Sequence, residues 1–310
     1  MRSIAAVTTV IFCLLAGASS HAGYTYTTLD HPNATDTYLY GIDGNNIVGW
    51  YSDASGDHSF KFDGSNFIPL DNPGGTSTHL HGIDGDNIVG SYIDSSGIRH
   101  GTLYDGNTWH HRSSSTFQND LYGIDGAANM VGYSRLNGTA VHTQGTLYDG
   151  SQWTNFNYPG ATSTTLHGVN GANKVGAYTD GSGGIHGVFH DGSTWTTLDH
   201  PSATANTFLF GIDGDLMVGG YGDSSGEHGL LYDHSNSSWE TLDVDVPGAT
   251  NTFIHGIDGA NMVGFYTDSS GDFHGFTATV SVPFANPSPE PSTLLLALFG
   301  LAVVPRKRRR

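Results

Sequence analysis

Three histidines, His81, His167 and His255, each stand just before a glycine in alternate copies of one short stretch of sequence. Tyr40, Tyr122 and Phe210 hold the same place in the other copies. Neutral imidazole suits zinc or copper, so three such side chains at even intervals about an axis form a candidate trigonal metal site. Zinc needs all three nitrogens within about 2.1 Å of one point, and the competing expectation is that six flat rings simply pack together. A second series, His58, His100, His142, His186, His228 and His274, occurs once per copy. A residue repeated in every copy reads as a determinant of the fold, because a single reaction centre has to break symmetry.

The aspartates repeat as well. Asp43, Asp84, Asp125, Asp213 and Asp258 close a Gly-Ile-Asp core, but the fourth copy has Asn170. Asn keeps the turn chemistry and loses the charge, so hydrogen bonding to backbone is expected in place of a catalytic or metal-binding carboxylate ring. Asp53, Asp94, Asp223 and Asp268 begin Asp-x-Ser-Gly stretches that read as hairpin loops, with calcium coordination the alternative. They lack the regular ligand alternation of an EF-hand loop. The third copy is the irregular one: Arg112, the serines 113–115 and Arg135 replace the usual loop text, and with His110 and His111 they make a candidate anionic pocket. No copy carries a unique Ser-His-Asp, paired-Glu or cysteine arrangement. No catalytic residue is therefore assigned.

These residues are positioned by a repeat. Aligned on their core, the copies place anchor glycines at Gly41, Gly82, Gly123, Gly168, Gly211 and Gly256, with spacings of 41, 41, 45, 43 and 45 residues. Units of this length point to a propeller. In the fourth copy STTLHGVN, NKVGAYTD, IHGVFHD and TWTTLD alternate between turn signals such as Asn170-Gly171, where glycine supplies positive φ. Each copy is thus a four-stranded antiparallel meander, with the strand before Gly-Ile-Asp innermost. The last copy lacks its Trp-containing fourth strand. Residues 24–30, YTYTTLD, match TWTTLD and supply it from the N-terminus, which removes an exposed sheet edge. The expected fold is an all-β, six-bladed β-propeller over residues 23–284, its N-terminal strand closing the last blade.

Composition narrows the partners. Of 11 basic residues only five lie in the repeat region, against 28 of 29 acidic ones, so this region carries about −23. Such a surface lacks the basic footprint of a nucleic-acid or anionic-membrane binder. Residues 1–22 read as a signal peptide, with Arg2, an apolar run and a small-x-small site at Ser20-His21-Ala22. The single cysteine, Cys13, lies within it, so the exported part has no thiol chemistry.

After Phe284 the text changes to a proline-rich linker at 285–291 and a tail at 292–310. Leu294 to Val304 would make an apolar helix of roughly 17 Å, short for a hydrocarbon core of about 30 Å. Pro289, Glu290 and Pro291, this apolar stretch, and Arg306, Lys307, Arg308, Arg309 and Arg310 together resemble the PEP-CTERM sorting signal of Gram-negative bacteria. The resemblance implies processing by an exosortase after a signal peptidase, transient anchoring by the C-terminus, and delivery to the cell surface or matrix of an exopolysaccharide producer. The repeats over residues 24–280 are similar to bacterial extracellular HAF-type repeats, which imply the same fold and no established activity. Asp105 to Trp109 and Asp191 to Trp195 resemble the Asp-box hairpins of sialidase-type propellers, which are structural there.

The resulting expectation is a monomeric, exported binding or structural module with exopolysaccharide as its leading ligand class and no required cofactor. The alternatives are a polysaccharide lyase or hydrolase on the same scaffold, and a matrix spacer without a small ligand.

Overall fold

The computed structural model describes residues 19–21, 23–112, 117–136, 142–239 and 245–280. They build six antiparallel blades. Blade one comprises Asp36–Asp43, Asn46–Asp53, Gly56–Phe62 and Phe67–Pro69; blade two Ser77–Asp84, Asn87–Ile93, Arg99–Tyr104 and Trp109–His111. Blade three comprises Phe117–Ile124, Met130–Leu136, Gln144–Tyr148 and Trp153–Asn155; blade four Ser163–Asn170, Asn173–Thr179, Ile185–His190 and Trp195–Thr197. Blade five comprises Asn206–Asp213, Leu216–Gly222, Glu227–Asp233 and Ser238–Trp239. Blade six takes Asn251–Asp258, Asn261–Thr267 and Phe273–Val280 from the end of the repeat and Tyr24–Thr28 from its start, pairing Tyr24 with Val280 and Thr28 with Phe276. The first strand of each blade packs against that of the next, and the last returns to the first, so the ring is closed.

Two backbone features recur because the sequence recurs. The first hairpin of each regular blade pairs the core Asp or Asn with the residue three positions on, as Asn170 with Asn173, leaving Gly171 and Ala172 at the turn centre. The turn is therefore shifted one residue from the expected Asn-Gly pair. Gly171, at φ +58°, takes the first central position, where a II′ turn requires positive φ. Upstream, each first strand carries a β-bulge, as between Leu39 and Gly41 or Leu209 and Gly211. The extra residue is Tyr40, His81, Tyr122, His167, Phe210 or His255, which the bulge re-aims toward the axis.

The core lies in the seams between blades. Val218 and Leu231 of blade five meet Ile254, Ile257 and Met262 of blade six, and the N-terminal Tyr24 and Tyr26 complete that cluster. Val89 and Leu103 of blade two meet Leu121, Ile124 and Met130 of blade three in the same way. Burying one such side chain is worth about 1.5–3 kcal/mol, so cohesion comes chiefly from each blade's neighbour. Ser19–His21 adds an antiparallel strand outside Tyr24–Tyr26. The linker, the tail with its expected helix and sorting residues, and most of the expected signal peptide lie outside the described residues. Among the described residues no helix is long and apolar enough to cross a membrane.

Candidate functional site

The bulge residues meet in a closed circuit of rings around the axis. Centroid separations run 4.8 Å from Tyr40 to His81, 4.4 Å to Tyr122, 4.7 Å to His167, 5.1 Å to Phe210, 4.1 Å to His255 and 4.4 Å back to Tyr40. An aromatic ring therefore stands between successive members of the His81, His167, His255 set. His81 donates Nδ1–H to the Leu121 carbonyl at 2.9 Å, and His167 Nε2 contacts Thr165 Oγ1 at 3.2 Å. Burial lowers His81 to about 4 and His167 to about 3, and pushes His255 well below its ordinary value, so all three imidazoles are neutral. Among the described residues no three His, Cys, Asp or Glu side chains gather into a metal-holding group. The anchor glycines let these strands converge: a Cβ on Gly82 would lie 2.4 Å from the Tyr122 carbonyl oxygen, and one on Gly256 2.6 Å from that of Tyr40.

The core aspartates form a second circuit, and their role is between blades. Asp43 accepts the Gly85 N–H at 2.7 Å, Asp84 that of Gly126, Asp125 that of Gly171 at 2.5 Å, Asp213 that of Gly259 at 2.7 Å, and Asp258 that of Gly44 at 2.7 Å. Each carboxylate thus caps the turn of the next blade. The expected backbone role holds, but the backbone belongs to a neighbour.

The outer histidines are clamped between two aspartates. His186 Nδ1 donates to Asp199 at 2.7 Å while Nε2 faces Asp180 at 3.5 Å, and the other oxygen of Asp199 accepts the Gly187 N–H at 3.1 Å. His58, His228 and His274 repeat the clamp with Asp71, Asp245 and Asp30. Among the described residues His100 meets one aspartate, Asp94, at 2.9 Å. The hydrogen bond to Asp199 raises His186; His228 and His274 rise because their aspartates outweigh the opposing effect of burial. His142 does not belong to this series. The register pairs Ser134 with Gln144 where other blades pair Tyr178 with His186 or Tyr221 with His228, and His142 sits two residues before the strand position, exposed. Blade three replaces the whole unit, since Asn157 takes the place of Asp199 and accepts the Gly145 N–H at 2.9 Å.

The aspartates Asp53, Asp94, Asp223 and Asp268 are engaged locally, each accepting the N–H two residues on at 2.6–2.8 Å. Asp105 and Asp191 likewise accept N–H groups at the starts of their hairpins. Arg112 places its guanidinium 5.8 Å from the Tyr148 ring, and Arg135 pairs with Gln118 across the sheet. The serines 113–115 lie outside the described residues.

One asymmetric polar cluster was not apparent from the sequence. Asp120, buried, accepts from Tyr133 Oη at 2.8 Å and meets Arg99 Nη1 at 3.4 Å, while Arg99 also donates to Ser91 at 2.9 Å. Burial alone would raise the Asp120 carboxyl, but Arg99 and the surrounding donors outweigh it and hold it ionised. Next to it His79 contacts Asp57 at 3.1 Å, stacked on Trp50 at 4.2 Å. Members come from separate strands of adjoining blades, at positions filled differently in every other copy. Elsewhere, a polar groove of about 380 Å³ opens between blades six and one, with Asn45, Ser65 and Thr277 on its walls.

No protein-family model matches the sequence, and no curated protein matches it. Solved structures do resemble the fold. The lectin of Aleuria aurantia, described as a six-bladed β-propeller with a novel fucose recognition mode, superposes with a TM-score of 0.53 at 14% identity, covering 84% of this chain and all of the lectin chain (100%). The SapL1 lectin, solved with α-methyl fucoside, gives 0.52 at 12% identity over 82% and 98% of the two chains. A puromycin hydrolase gives 0.51 at 9% identity, with 89% of this chain matched to 54% of the hydrolase. At these identities the likeness establishes the architecture, a six-bladed β-propeller.

Proposed function

We propose that the protein is an exported, carbohydrate-binding propeller displayed at the cell surface or in the extracellular matrix. The observation that carries this reading is the six-bladed architecture shared with sugar-binding propellers. Six rings in successive contact line the axis, and a polar groove between blades six and one offers a surface able to take a ligand. Two sugar-binding propellers share the architecture over nearly their full lengths, which favours a saccharide as that ligand. The N-terminal segment and the PEP-CTERM-like tail support export, with exosortase and signal peptidase as processing partners. A hydrolytic or lyase role finds less support, because the buried carboxylate of Asp120 is already engaged by Arg99 and Tyr133.

Binding of the purified full chain to an array of bacterial exopolysaccharide fragments, with and without calcium, tests this reading. Specific binding is expected, and independence from calcium would agree with the local engagement of the loop aspartates. Silence across the array would replace it with a structural surface protein.

A further inference from the structure

Blades one and six depart from the other four at one facing position, and in blade one the residue paired with Val48 is Lys61. The third-strand residue paired with the second-strand valine is Leu103, Leu147, Phe189 and Leu231 in blades two to five. Leu103, Phe189 and Leu231 are buried against the blade that follows. In blade six the residue paired with Val263 is Thr277, which is shorter and polar. The same blade also lacks an Asp-Gly turn between third and outer strands, because its outer strand arrives from the N-terminus. Both departures of blade six fall at the seam with blade one, where the groove of about 380 Å³ lies.

From this geometry we infer that the seam between blades six and one is the saccharide subsite, and that it takes a short neutral saccharide; the inference rests on the carbohydrate-binding reading above. Ile42, Ile47 and Phe62 give the groove an apolar side, suited to the C–H face of a sugar ring. Among the described residues the Asn45 amide, Ser65 Oγ and Thr277 Oγ1 on its walls make no side-chain hydrogen bonds, so they are available to hydroxyl groups. Asn261 accepts from Thr279 Oγ1 at 3.1 Å through Oδ1, which leaves its N–H donors for a ligand. A volume in this range is that of an ordinary small-molecule site. Asp63 on the same wall, in a domain with a large excess of acidic residues, disfavours uronic acids and sulfated sugars.

The test is an array carrying both neutral and uronic-acid-containing oligosaccharides, followed by titration of the best-bound member into the full chain and three variants. Thr277→Leu restores the side chain that blades two, three and five use and fills the groove. Asn45→Ala removes a rim donor. Ser225→Ala, on a loop of blade five, is the control. A neutral saccharide bound by the wild type, weakened about tenfold or more by Thr277→Leu and several-fold by Asn45→Ala, with the control unchanged, is the expected result. Equal binding by wild type and both groove variants overturns the subsite and leaves the carbohydrate reading standing. Preference for acidic glycans overturns the ligand class, and binding to nothing on the array removes both readings. Should Thr277→Leu fail to fold by circular dichroism, a Ser65→Ala/Asn45→Ala double variant on exposed turns decides the same question.

Discussion

Asp258 accepts the backbone N–H of Gly44 at 2.7 Å although 214 residues separate them, and this bond carries the aspartate circuit from the last blade to the first. Five of the six seams described have a bond of this kind, while the position of Asn170 has no carboxylate to make one. Asp258→Ala should lower the unfolding free energy by about 1 kcal/mol, the scale of one charge-assisted hydrogen bond near solvent. Urea denaturation measures this, and an unchanged midpoint would show that the circuit follows closure without contributing to it.

Removing residues 24–30 should cost far more. It takes away Tyr24 and Tyr26, both buried, and the Asp30 carboxylate that holds His274 Nδ1 at 2.8 Å and the Gly275 N–H at 2.9 Å. From the two aromatic side chains alone the loss exceeds about 3 kcal/mol. A truncated protein melting at the same temperature as the intact one would contradict closure by this strand.

The glycine that follows the valine of each second strand should not tolerate a methyl group. A Cβ on Gly219 would lie 1.9 Å from the Phe208 carbonyl oxygen, on backbone that the bulge holds in place. Gly219→Ala is expected to destabilise by about 3 kcal/mol or more, whereas Gly181→Ala, with open space around it, should be nearly neutral. Thermal melts of the pair make the comparison.

Two sets of histidines should give opposite pH dependences. His81, His167 and His255 are held neutral, so below about pH 6.5 the unfolded chain binds protons that the fold does not. Their contribution is complete above that pH and is lost as the pH falls toward the lowered values, about 4 for His81 and about 3 for His167. His186, His228 and His274 are raised; their contribution is complete below about pH 6.5 and is lost as the pH rises through the raised values. His167→Phe, matching Phe210 in the next blade, should flatten the acid limb of a stability–pH curve. His228→Gln, matching Gln144 of blade three, should flatten the neutral-to-alkaline limb. A variant curve parallel to wild type in either window would remove that histidine from the account.

The sequence showed what depends on periodicity and concealed what depends on approach in space. Glycine, Asp and the Val-Gly pair recur at fixed offsets, so blade boundaries and the borrowed strand at residues 24–30 could be read directly. The partner of Asp43 could not, because Gly85 lies in another copy and the local turn offers an equally plausible acceptor role. His142 looks like its five counterparts in sequence but falls outside the clamp, because blade three shifts its histidine by two residues while the strand register continues through Gln144. The Arg99–Asp120–Tyr133 cluster left no periodic trace, since repetition is absent at just those positions.

The borrowed strand also sets how the ring answers tension. Tyr24 lies opposite Val280, so the chain enters and leaves at the same corner of blade six. A pull between those two points opens the pairs one after another, from Tyr24 and Val280 toward Thr28 and Phe276, and never loads them together. Anchored at one end and dragged from the other, the molecule would therefore part like a zip along this borrowed strand, while the five blades made from contiguous chain stayed intact.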